Sequence, residues 1–243
     1  MSGRVAAVTG LFRNIAHDMG KRLTYYTGYQ SDRTLRMYST DWRKMASVID
    51  SGSAGYYPPI EQLRATIDAL GDTPFLAGVM SEPDKPTSRE HFRSIPLSEM
   101  MMGIVAGAKG LLVFNLPAVD GGMFHRFSQV SALLADHEDL LYHGRRHQAG
   151  VRVTGLPSHA WTVFEREGTP EKALTLYNRL EIPLPDYMRD PGTKAAPGNA
   201  PAEVTVEFDR SVEGVEHFSG AAFAGGRLTF KLEPGDAAAY IWR

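Results

Sequence analysis

Apolar positions along the chain recur first at helical spacing, then as short continuous runs separated by helical stretches, and last as a series of short β-type segments. Val5, Val8, Phe12, Ile15 and Met19 fall at helix spacing and Gly20 suits a C-cap, so residues 4–20 predict a helix. RLTYYTGY (22–29) predicts a strand, because Tyr and Thr favour a pleated, half-buried surface. Asp32 reads as the N-cap of a helix over 33–48, with Leu35, Tyr38, Trp42, Met45 and Ala46 on one face. VIDSGSAGYY (48–57) reads as a short strand of small residues. Pro58 and Pro59 then open a helix carrying Ile60, Leu63, Ile67 and Leu70 on one stripe, closed by Gly71. TPFLAGVM (73–80) and GLLVFNLP (110–117) are continuous apolar runs of the kind buried on both faces. A helix over 88–108, weakened at Pro96, lies between them. A last helix is predicted over 122–143 from Phe127, Val130, Leu134 and Leu141.

The first 145 residues therefore read as a helix followed by four strand–helix units. That alternation implies parallel pairing with right-handed crossovers. Four such units make either half of an eight-stranded barrel or a small open sheet. The character changes near Gly144, where RRHQ and Gly150 form a polar junction. Beyond it VRVTGL, HAWTVFERE, KALTLYNRL, AEVTVEFD, VEHFSGA, RLTFKLEP and AAAYIWR predict about seven short strands and a β-sandwich over 146–243. The Pro/Gly-rich stretch 183–201 reads as a mobile loop.

Composition narrows the function classes. A net charge of −2 over 243 residues, without a Lys/Arg run, argues against a nucleic-acid binder and a polybasic membrane patch. With no cysteine, disulfides, thiolate metal sites and a cysteine nucleophile are excluded. The first residues, MSGRVAAVTGLFRN, lack a signal peptide's apolar region, and no run approaches the roughly 18 apolar residues of a membrane span. The chain as given is expected to be soluble, with its compartment open.

In barrels of parallel strands the chemistry sits at the C-terminal strand ends. That rule selects Tyr29, Gln30 and Asp32 after the first strand and Tyr56 and Tyr57 after the second. It selects Ser81, Glu82 and Asp84 after the third, and Asn115 and Asp120 after the fourth. Aromatic rings stack on sugar C–H faces, while carboxylates and amides bind sugar hydroxyls. Glycosidic hydrolysis also needs two carboxyl groups across the scissile bond. Glu82 is the leading candidate, since it follows the most apolar strand and precedes a proline-pinned loop; the competing reading is an ordinary loop glutamate. Tyr29, Tyr56, Asn115 and Asp120 are the candidate sugar-binding residues. Asp50 falls near the start of its strand, at the wrong end of a barrel for catalysis. Asp41 reads as a surface acid beside a core Trp42.

The remaining chemistry is thin. The eight histidines show no metal spacing, so neither a metal nor a cofactor is expected. SGSAG lacks the lysine of a phosphate loop, and no GxSxG elbow occurs.

Four stretches, TYYTGYQSDRTLRMYSTDWRKMASVID, FLAGVMSEP, MMMGIVAGAKGLLVFNLP and DGGMFHRFSQVSALLADHEDLL, resemble the later strands of (β/α)8-barrel glycoside hydrolases. The closing RLTFKLEPGDAAAYIWR resembles the last strands of the β-sandwich that often follows such barrels. The resemblance implies the C-terminal half of a TIM barrel, its fifth to eighth strands, with an accessory sandwich. It places Glu82 at the strand-seven position, where many retaining members carry the nucleophile. Their acid/base residue, after strand four, would lie upstream of Met1.

A half barrel leaves two parallel edge strands open. Exposing a few hundred Å² of apolar surface forfeits several kcal/mol, at about 25 cal/mol per Å². A missing N-terminal half or a homodimer partner is therefore expected to cover the edges, unless the helices fold over both faces of an open sheet. The functional expectation is a C-terminal portion of a glycoside hydrolase acting on a carbohydrate, incomplete by itself. The alternative is a non-catalytic carbohydrate-binding or scaffolding protein derived from such an enzyme.

Overall fold

A computed structural model of the chain describes residues 2–54, 60–80, 96–114, 121–179 and 200–243. The chain divides into two units, Met1–Met80 with Ala106–Phe114, and Ser81–Val105 with Asn115–Arg243.

The first unit opens with helix α1, Ser2–Asp18, and Gly20 at φ 67 follows its end. Strand β1 is Thr24–Tyr26, shorter than the predicted 22–29. The helix predicted over 33–48 is two helices, α2 at Asp32–Tyr38 and α3 at Trp42–Met45. Ser39 adopts φ 55, which ends α2, and the Asp41 carboxylate accepts from the Arg43 N–H to start α3. Ser31, not Asp32, is the N-cap of α2, its hydroxyl accepting from the Thr34 N–H. Strand β2 (Ser51–Ala54), helix α4 (Ile60–Leu70) and strand β3 (Phe75–Met80) follow. Helix α5 (Pro96–Ala106) belongs, all but its last residue, to the second unit, and β4 (Gly110–Phe114) completes the first. Positions 88–95 of the predicted fourth helix lie outside the described residues.

The four strands are parallel in the order β1-β2-β3-β4. Register separates their faces. Tyr25, Gly52 and Phe75 are lateral neighbours, and all three lie against the fully buried ring of Trp42. On the opposite face Thr24 pairs with Ser51 and Tyr26 with Ser53, followed by Leu76, Gly78 and Leu112. Phe75 and Ala77 are buried whereas Leu76, Gly78 and Leu112 are only half-buried, and Tyr26 is exposed. The continuous apolar run of β3 therefore has one closed face and one partly open face, not two closed ones.

The second unit carries helices α6 (Gly121–Asp136) and α7 (Glu138–His143), where one helix was predicted. His137, at φ −124, breaks them. Met123, Val130, Leu133, Leu140 and Leu141 are buried, while Phe127 and Leu134 of the predicted stripe are half-buried. The strands that follow are β5 (Arg145–His147), β6 (Val151–Thr154), β7 (Trp161–Glu165) and β8 (Lys172–Tyr177). After them come β9 (Ala202–Glu216), β10 (Ala222–Leu232) and β11 (Ala237–Trp242). The polar junction RRHQ contains β5, and the segment AEVTVEFD runs on through Val215 and Glu216, the first two residues of VEHF, in the single strand β9.

The antiparallel order is β10-β9-β11-β8-β7-β5, with β6 also on β9. The first part of β9 pairs with β6, and its last residues pair with β11. The β9–β10 ribbon is thus shared by two layers, with an irregularity between Gly225 and Arg227. Val151, Val204, Val206 and Leu232 meet Trp161, Leu174, Leu176, Tyr240 and Trp242 in one core, which makes the sheet sandwich-like. No helix among the described residues is long and apolar enough to cross a membrane.

Candidate functional site

Parallel pairing puts the C-terminal ends of β1, β2, β3 and β4 along one edge of the first sheet. Three of the four segments that follow them, 55–59, 81–95 and 115–120, lie outside the described residues. Glu82, Tyr56, Asn115 and Asp120 fall in those segments. Tyr29 and the loop after β1 are described.

That loop is held at every residue from Thr27 to Ser31. The Thr27 N–H donates to the Ser53 carbonyl at 3.1 Å. The Gly28 carbonyl accepts from the Trp42 indole N–H at 2.9 Å. The Tyr29 hydroxyl donates to the Ala54 carbonyl at 3.1 Å, and its ring lies against Phe75 with centroids 6.4 Å apart. The Gln30 N–H donates to the Thr66 hydroxyl at 2.8 Å, while the Gln30 side-chain oxygen accepts from the Trp42 N–H at 3.0 Å. Ser31 caps α2 through Thr34.

Trp42 is the post of this arrangement: its backbone and ring nitrogens tie down two loop residues, and its ring fills the sheet face under Gly52. Sequence reasoning placed Trp42 in the core and missed this double duty. It also missed Thr66, a fully buried hydroxyl that donates to the Gln62 carbonyl and accepts from the loop. A threonine on the buried stripe of an otherwise apolar helix face was the available signal. Tyr29 is buried, with its hydroxyl committed to the last residue of β2. It fixes the spacing of the first two strand ends.

The opposite end of the sheet carries the acid that sequence reasoning set aside. Asp50, immediately before β2, accepts from the Leu23 N–H at 2.7 Å and from Arg13 Nε at 3.2 Å. His17 Nε2 lies 2.8 Å from its Oδ2. Burial alone would raise this carboxyl, but the Leu23 N–H, His17 and Arg13 outweigh it and hold the group at about 2. These contacts clip α1 to the starts of β1 and β2. Among the described residues no cluster of three or more His, Asp or Glu side chains is placed to hold a metal ion.

No protein-family model matches the chain, and no curated protein matches it in sequence. In structure it is similar to alpha-galactosidase I from Mortierella vinacea, with a TM-score of 0.60 at 8% identity over 100% of this chain. The match spans 64% of that protein's length. Weaker likenesses, each at a TM-score of 0.38, join it to two other solved structures. One is a GH27 β-L-arabinopyranosidase from Geobacillus stearothermophilus, 10% identical over 95% of this chain and 77% of that one. The other is an alpha-amylase from Geobacillus thermoleovorans, 8% identical over 98% and 81%. The chain has the fold of a partial (β/α)8 barrel, four parallel strands with their helices, and a separate C-terminal antiparallel sheet.

Proposed function

We propose that this chain is the C-terminal portion of a carbohydrate-active glycoside hydrolase and that Glu82 is one of its two catalytic carboxylates. The observation that carries the reading is the fold shared with alpha-galactosidase I over the whole of this chain, its parallel and its antiparallel sheet included. The position of Glu82 in the sequence adds to it, two residues beyond the end of β3. In this reading the second carboxyl group and the remaining strands come from a part of the enzyme that precedes this sequence. Glu82 then attacks the anomeric carbon or activates water, while its partner protonates the leaving oxygen. Tyr56, Asn115 and Asp120 contact sugar hydroxyls and C–H faces. Tyr29 acts through Ala54 by holding the second strand end in place.

The test is hydrolysis of aryl glycosides, headed by an aryl α-galactoside because a structural neighbour with a TM-score of 0.60 carries that name. The chain is assayed alone and within its full reading frame, with Glu82→Gln and Glu82→Ala beside wild type. The reading expects turnover from the full frame and a loss of at least ~100-fold in Glu82→Gln. Azide should restore part of the Glu82→Ala activity if Glu82 is the nucleophile. Equal cleavage by wild type and Glu82→Gln removes Glu82 from the mechanism. Saturable sugar binding with no turnover in any form makes the protein a binding module instead.

A further inference from the structure

Helix α1 packs through a face of small residues and leaves its large apolar residues on another. Ala6 and Thr9 are buried, and Gly10 lies where a Cβ would meet Val48 Cγ1 at 3.4 Å. Arg13, on the same side, reaches Asp50. This face packs on α3 and the chain after it through small residues. The large residues point elsewhere. Val8 is 51% exposed, Leu11 63%, Phe12 59%, Ile15 55% and Met19, just past the helix, 69%. At about 100° per residue they occupy one arc, opposite the packed face. An apolar stripe of this size in water marks an interaction surface.

We infer that this stripe is the seam of a homodimer in which two copies of α1 pair antiparallel across a two-fold axis at Leu11. Two observations select a second copy of this chain as the occupant. The first is self-complementary charge. Arg4, Val8, Leu11, Ile15 and Asp18 follow one another at alternating spacings of four and three, the spacing of a coiled-coil seam. Arg4 lies seven residues before Leu11 and Asp18 seven residues after it, and both are exposed. An antiparallel pair centred on Leu11 therefore sets Arg4 against Asp18 of the other copy at both ends. A parallel pair sets like charge on like. Such a match of one patch with itself is what an isologous two-fold interface requires.

The second observation is area. The exposed parts of the five apolar residues amount to roughly 500 Å² per copy and about 1,000 Å² for a pair, the threshold for a specific interface. Pairing covers the stripe with the same stripe of the second copy and leaves the strand ends of the first sheet untouched. The inference is independent of the sugar reading.

The absence of cysteine from the chain provides a clean test. Sedimentation equilibrium should give a dimer for wild type. Leu11→Glu puts two like charges at the axis and is expected to raise the dissociation constant ~100-fold or more. Arg4→Asp alone and Asp18→Arg alone should each weaken the dimer, and the two together should restore it. Leu11→Cys should form an interchain disulfide in mild oxidant, while Asn14→Cys, exposed but off the stripe, should not. Circular dichroism verifies that each variant is folded. A monomeric wild type overturns the inference, as expected if a polypeptide outside this sequence covers the stripe. So does a dimer indifferent to Leu11→Glu and to charge reversal, or equal crosslinking at positions 11 and 14.

Discussion

Glu99 Oε1 lies 3.1 Å from Nε of Arg179, joining the first turn of α5 to the residue two past the end of β8. The glutamate is buried and the arginine only partly so. Beside it the Ser98 N–H donates to the Gly235 carbonyl at 3.1 Å, in the turn before β11. One main-chain bond and one ion pair thus fasten α5 to the antiparallel sheet of the second unit. Burial pushes the Glu99 carboxyl up, and the Arg179 guanidinium pulls it back only in part.

Removing the guanidinium leaves a buried acid with its compensating charge gone. Arg179→Met should therefore destabilise the second unit by about 3 kcal/mol or more. The sign of the pH dependence follows from the raised carboxyl. The folded state holds the Glu99 proton more tightly than the unfolded chain, so its contribution is full below the ordinary carboxylate range and is lost as pH rises through the folded value. The loss in Arg179→Met should be larger at about pH 8 than at about pH 5, and the double variant with Glu99→Gln should flatten that dependence. Urea unfolding at the two pH values reads it; a loss of equal size at both would assign the effect to packing.

Asp50 has the opposite sign. Its carboxyl is held at about 2, below the ordinary 3.8, by the Leu23 N–H, His17 and Arg13 acting against burial. Its stabilisation is present above the ordinary carboxylate value and is lost as pH falls through the folded value. Asp50→Asn should cost about 1–2 kcal/mol near neutral pH, after allowance for partners that are one-third exposed or more. Roughly half of that difference should be gone at about pH 3. The measurement is the unfolding free energy of wild type and variant at the two pH values. An undiminished difference at the lower pH would show that the clip acts through shape alone.

Period and turn chemistry made the alternation of strands and helices readable, because β3 and β4 are apolar runs and α4 carries a clean stripe. The parallel sheet and the antiparallel region beyond it follow from that. Two helix breaks were not readable. A periodic pattern over 33–48 spans Ser39, and nothing in a serine announces a left-handed backbone. His137 likewise interrupts a stripe that continues on both sides. The apolar face of α1 predicted a helix correctly, yet periodicity does not state which face is buried. Here glycine, alanine and threonine pack inward and the large residues stay in water. At the strand ends, Tyr29 was legible as a residue near the edge of the sheet. Its attachment to Ala54 was not, because that bond spans 25 residues and depends on register. Strand β5 escaped detection because RRH has no apolar alternation and is held by pairing with β7.

His217 and His137 meet edge to face with ring centroids 5.4 Å apart. Burial lowers the His217 imidazole and the neighbouring His137 lowers it further, while Asp136 and Glu216 act in the opposite direction. A folded imidazole lowered in this way contributes stability above its ordinary value of 6.5, lost as pH falls. Wild type should lose more thermal stability between about pH 8 and pH 5 than His217→Gln, which keeps the backbone bond to the Ala239 carbonyl. Parallel melting curves for the two proteins across that range would refute the assignment.

The packing under the strand ends leaves no room for a side chain at position 52. Gly52 sits at the centre of β2, where a Cβ would come within 2.7 Å of Trp42 Cζ3 and 3.0 Å of Leu70 Cδ1. Trp42 has no room to yield, since its indole N–H is bonded to Gly28 and its ring is boxed by Tyr25 and Phe75. Gly52→Ala should therefore destabilise the first unit by about 1–3 kcal/mol, although alanine is the better residue by backbone entropy. The same displacement of Trp42 should loosen the loop it holds, so amide exchange at Gln30 and Trp42 should quicken with that at Thr27. A variant as stable as wild type, with exchange at those amides unchanged, would mean that the tryptophan does not brace the loop at the strand ends.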